Sequence, residues 1–106
     1  MDGNAIITRT ALGQLGRGFS SYIYLRQGME GQGFGGRSLG AKYLHCWVKR
    51  ILEVVGVDTW EELVGKHVRV AGDDFEIKGI GNIIEDKWFY PEEEFNEIRK
   101  LTKDNK

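Results

Sequence analysis

The chain of 106 residues has one cysteine, one proline and two histidines, and each scarcity removes a class of architecture or chemistry. A single thiol, Cys46, provides neither a disulfide framework nor a cysteine-based zinc site. His45 and His67 stand beside no nucleophile, and no G-x-S-x-G elbow occurs. A Walker loop needs Gly-Lys-Ser/Thr, where this chain has Gly36-Arg37-Ser38. Candidate metal ligands do not cluster, and Glu92-Glu93-Glu94 reads as helix N-terminal charge. No apolar run approaches the roughly 20 residues of a membrane span. The first residues lack the charged-then-apolar order of a signal peptide. The expectation is a soluble, cytosolic protein that is not an enzyme and carries no metal or other cofactor.

What is present argues for a packed domain. Hydrophobic residues make up 41%, including three Trp, four Tyr and five Phe. The length suits one domain, residues 1–106, with a frayed tail over about 102–106. Net charge is −1, which disfavours broad duplex-DNA binding. Residues 1–50 carry seven basic and two acidic residues (+5), and residues 51–106 carry eight and fourteen (−6). A basic half suits a small phosphorylated ligand, although two ordinary solvated surfaces would look the same.

Asn4–Leu12 and Phe19–Gln27 read as an antiparallel hairpin around Gly13–Gly18. In its second strand Ile23 and Leu25 alternate with Tyr22, Tyr24 and Arg26. From Leu39 to Val55 the residues Leu44, Val48, Ile51 and Val55 recur at helical spacing, with Gly56 as the C-terminal cap. Asp58-Thr-Trp-Glu61 has capping-box spacing for a short helix stopped by Gly65. His67–Ala71 and Phe75–Ile84 read as a hairpin around Gly72-Asp73-Asp74. Gly79 and Gly81 interrupt the second strand, as bulges or close backbone approaches do. Pro91 opens a final helix, with acids in its first turn and Arg99 and Lys100 in its last. The sum is an α+β fold: a small antiparallel sheet with one main helix packed on it, plus short C-terminal helices.

Six glycines fall within Gly28–Gly40, reading GMEGQGFGGRSLG. A glycine-dense connector ahead of a helix N-terminus can bring backbone N–H groups to a phosphate. It equally suits a mobile link between strand and helix. Binding equipment accompanies it. Arg26, Arg37, Arg50, Arg69 and Arg99 offer planar forks for phosphate oxygens. Phe34, Phe75, Trp88 and Tyr90 offer faces for a base, and Asn82 a paired donor and acceptor. For each aromatic taken alone, a place in the core is the commoner role.

Three segments, GQGFGG (Gly31–Gly36), ILEVVGVDTWEELVGKHVRV (Ile51–Val70) and IGNIIEDKWFYPEEEF (Ile80–Phe95), resemble the Thoeris anti-defence protein 1 family of phage-encoded sponges. The resemblance implies a phage anti-defence protein that binds and sequesters cyclic ADP-ribose isomers without cleaving them, in the cytoplasm of the infected bacterium. Effectors of the Thoeris type would then go untriggered. It implies a homodimer with two pockets, in some members a hexamer built as a trimer of dimers, and in some a separate site for cyclic di- or trinucleotides. The family's base-stacking aromatic falls on Phe75, its base-reading asparagine on Asn82, and its phosphate-contacting arginines on Arg26 and Arg99. Arg50 and Arg37 are candidates for the second oligonucleotide site. No DNA, RNA or membrane is implied as a partner. The chain departs from the family in a shorter link between glycine tract and main helix, and in a shorter turn at Gly72–Asp74. The alternatives are a protein-interaction module that inhibits a host enzyme through Trp60, Trp88 and the acidic half, or a cyclic-nucleotide hydrolase.

Overall fold

A computed structural model describes residues 3–15, 18–73 and 76–104. Among them the chain forms six strands and two α-helices. Strands β1 (Gly3–Leu15), β2 (Gly18–Gln27) and β3 (Glu30–Ser38) are a meander, followed by helix α1 (Ala41–Val55) and a 3₁₀ turn at Trp60–Glu62. Then come β4 (His67–Gly72), β5 (Ile77–Gly81), β6 (Trp88–Phe89) and helix α2 (Pro91–Asp104). The sheet is wholly antiparallel in the order β3-β2-β1-β4-β5-β6. The α+β class expected from the sequence is therefore the observed one, with a single C-terminal helix of 14 residues in place of several short ones.

Helix α1 forms where apolar spacing dictates. Trp47, Ile51 and Val54 are buried along one stripe, and Gly56 closes the helix in the left-handed region at φ 88°, its N–H donating to the Leu52 carbonyl. The stripe packs on Ile7, Ile23, Leu25, Val68, Val70 and Ile80, the inward row of the sheet. Each such side chain contributes about 1.5–3 kcal/mol by leaving water. A polar demand in this layer is met across it: Trp47 Nε1 donates to Ser21 Oγ at 3.1 Å.

Three local expectations are corrected, and one strand went unread. The glycine tract is not a connector, because residues 30–38 pair with β2 as an edge strand. Its register is fixed where Phe34 lies opposite Ile23 and enters the core beside Trp47 and Phe89. The strand expected over Phe75–Ile84 is shorter, since Asn82 turns the chain out of the sheet. The two-residue β6 gave no pattern long enough to read. Finally, Asp58 caps nothing; Thr59 holds the N-cap position, and its hydroxyl meets the Glu62 carboxylate at 3.0 Å.

Gly79 and Gly81 do mark close approaches. A Cβ at Gly79 would stand 2.6 Å from the Tyr90 ring, and one at Gly81 2.7 Å from the Trp88 ring. The two rings stack on each other with centroids 5.7 Å apart. Among the described residues, no helix is long and apolar enough to cross a membrane.

Candidate functional site

The sheet curls around α1 until its two ends approach, with the Phe34 and Phe89 rings meeting edge-on at 6.4 Å. Between the ends lies a groove of about 380 Å³, within the roughly 300–1,000 Å³ range of small-molecule sites. One wall is the backbone of β3 at Gly33, Phe34 and Gly35. The other is the start of β5, Glu76, Ile77 and Lys78. Trp47 and Leu39 form the floor, and the first turns of α2 overhang it through Pro91, Phe95 and Asn96.

Glycine makes the first wall possible. Gly33 has an ordinary strand φ and pairs with Tyr24, so a side chain there would stand on the face away from α1, and what the residue gives the groove is bare backbone. Gly35 is held at φ 101° with a would-be Cβ 2.6 Å from the Trp47 ring, which keeps the floor close beneath the edge. The Phe34 and Trp47 side chains are only 3% exposed and belong to the core.

Charge on the groove is mixed. Lys78 and Arg99 are the cations, Glu76 and Glu92 the acids. The Lys78 ammonium donates to the Glu76 carboxylate, which raises the lysine pKa above its usual value. Arg99 lies on the exposed side of α2, donates one N–H to Asn96 Oδ1 at 3.1 Å and stands 5.7 Å from the Tyr43 ring centroid. Its remaining N–H groups leave it able to fork onto an anion. Among the described residues, no group of three or more His, Cys, Asp or Glu side chains is arranged to hold a metal ion.

Comparison with protein-family models, with curated proteins and with solved structures finds no match for the chain. The site therefore rests on its own geometry.

Of the residues singled out from the sequence, Arg99 lines the groove. Phe75 and the Arg37 side chain lie outside the described residues. Arg26 is exposed on the opposite face of the sheet, paired in register with Gly31. Asn82 is committed to the fold: its Nδ2 donates to the Val54 carbonyl at 2.8 Å, and its Oδ1 accepts from the N–H groups of Ile84 and Glu85 at 2.8 Å each. The amide that looked suited to a base edge thus anchors the β5–β6 loop to the end of α1.

Arg50 is similarly engaged. Its Nε donates to both Glu94 oxygens at 3.0 and 3.1 Å, Nη1 to Glu53 at 2.8 Å and Nη2 to the Trp88 carbonyl at 3.0 Å. Burial works against its charge, but the two carboxylates outweigh that and raise its pKa. Burial first, then the Glu94 carboxylate, raise the pKa of the Cys46 thiol, whose Sγ lies 3.9 Å from Glu94 Oε2. This cluster joins α1, α2 and β6. Lys78 and the bare backbone at Gly33 are the groove features that residue-by-residue reading passed over. The glycine repeat was their signal, read as loop instead of edge.

Proposed function

We propose that the protein is a binding protein that sequesters a small phosphorylated nucleotide in the groove between β3 and α2, of the cyclic ADP-ribose class that the sponge resemblance implies, and releases it unchanged. The observation that carries this reading is one groove lined together by the β3 backbone at Gly33 to Gly35, by Lys78 and Arg99, and by the apolar Trp47 and Leu39. Backbone N–H groups and two cations suit phosphate oxygens, and the apolar floor suits a nucleoside.

Magnitude decides how the groove is used. Two charge-assisted contacts contribute about 3–6 kcal/mol together, short of the about 12 kcal/mol of nanomolar affinity. An open groove in one chain supplies little further enclosure, so a second copy that closes the mouth belongs to the proposal. Such a sponge would work in the cytoplasm of an infected bacterium.

Titration calorimetry and thermal shift against cyclic ADP-ribose isomers test the reading. Saturation at about 100 times the dissociation constant adds about 2.7 kcal/mol of stability. Heating the complex should return the messenger intact. A cleaved product would establish a hydrolase instead, and no shift with any isomer would end the proposal.

A further inference from the structure

The face of the sheet opposite α1 forms a second surface, independent of the groove. Paired residues of antiparallel strands share a face, so the registers define its rows. They run from Gly31 and Gly33 on β3, through Tyr22, Tyr24 and Arg26 on β2 and Ile6 and Arg9 on β1, to Arg69 on β4, Gly81 on β5 and Trp88 on β6. Three arginines and three aromatic rings lie in these rows, and no Asp or Glu does.

The groups are already arranged as stacks. The Arg9 guanidinium lies 5.5 Å from the Tyr24 ring centroid, and that of Arg69 4.8 Å from the Trp88 ring. Tyr24 leans over Gly31, where a Cβ would stand 2.7 Å from its hydroxyl. Arg9 and Arg26 are exposed, and among the described residues no carboxylate pairs with either. The carboxylate recorded beside this row is Asp86, 4.0 Å from Arg69.

We propose that this face binds single-stranded nucleic acid, its phosphates along Arg26 and Arg9 and its bases on Tyr22, Tyr24 and the plane of Arg69, whose Nε and Nη2 already donate to the Asn82 and Glu85 carbonyls. The chemistry selects this occupant. Rings and guanidinium planes stack any base, and a row of arginines without carboxylates complements a polyanion. A duplex hides its bases and would use only the charge. The overall charge of −1 does not oppose the idea, because the paired rows of this face contain no Asp or Glu, with Asp86 at their margin beside Arg69.

Fluorescence anisotropy with a labelled oligothymidylate of about twelve nucleotides tests it, the length suiting one small sheet. Binding should fall with salt, with a log–log slope of about −1.4 for two phosphate contacts. Arg9→Ala or Arg26→Ala should each weaken binding about tenfold and flatten the slope by about 0.7. Lys49→Ala, which removes the same charge from α1, should leave it unchanged. Tyr24→Leu keeps apolar cover over Gly31 and should weaken binding about fivefold or more through lost stacking. The proposal falls if no anisotropy change occurs at low salt, if a duplex of equal length binds as tightly, or if Lys49→Ala matches the arginine variants.

Discussion

The two ends of the sheet use glycine in opposite ways. On β5, Gly79 and Gly81 are roofed by Tyr90 and Trp88, and the roof is pinned in turn by Arg69, which donates to the carbonyls of Asn82 and Glu85 at 2.6 and 2.9 Å. On β3, Gly33 is bare: a Cβ there, on the face it shares with Tyr24, would meet nothing within 4 Å. The same residue type thus serves packing at one end and access at the other. Composition is silent on the difference; only what lies above the missing Cβ tells them apart.

Substitution at the two ends should separate these roles. Gly81→Val drives a side chain into the Trp88 ring and should cost about 3 kcal/mol, measured by urea unfolding. An unchanged midpoint would mean that the roof is loose. Asn82→Ala removes three hydrogen bonds from the same end and should cost about 2 kcal/mol or more, while leaving ligand affinity within about twofold if the groove is the site. Arg50→Met breaks the clamp between the helices and β6 and should cost about 1–2 kcal/mol, most of it from the stranded Glu94.

At the open end the order of effects inverts. Gly33→Val should change stability by less than about 0.5 kcal/mol, since a β-branched residue suits an uncrowded strand. Its side chain would stand on the Tyr24 face, so groove binding should survive it while oligothymidylate binding on that face should weaken. Arg99→Ala should weaken groove binding, measured by calorimetry, about tenfold through one lost charge-assisted contact, without altering the melting temperature.

The smallest expected effect concerns pH. The folded Cys46 thiol holds its proton more tightly than the ordinary 9.0. The stability this confers is complete below the unfolded thiol's pKa and is lost as pH rises through the folded one. Unfolding at pH about 8 and about 10 should therefore show the native chain losing ground to Cys46→Ala only at the higher value.

How much of this was legible depended on the range of each interaction. Helix α1 and its Gly56 cap were visible because a helix buries a stripe at fixed local spacing, and Pro91 marked α2 for the same local reason. β3 was not, because its outward row of glycines carries no alternation and its register comes from Phe34 meeting Ile23 across another strand. The Arg50–Glu94 pair joins residues 44 apart and has no local trace. Asn82 is an intermediate case. Its bonds to the N–H groups two and three residues ahead form a turn that asparagine commonly makes, but the loop's neighbours gave that turn no priority over ligand recognition. The groove followed the same division, with Arg99 suggested by residue type and Lys78 reached only through topology.

The register slip on β1 has a consequence for how this fold tolerates change. Ile7 lies opposite Leu25 and Arg9 opposite Tyr24, so Thr8 is the one residue left over. Without it, Ile7 and Arg9 would be neighbours facing the neighbours Leu25 and Tyr24, which is the regular alternation of an antiparallel pair. The strand can therefore lose that threonine and still keep Ile7 on the oily side and Arg9 in water. Losing a second residue from the same stretch would reverse one part of the strand against the other.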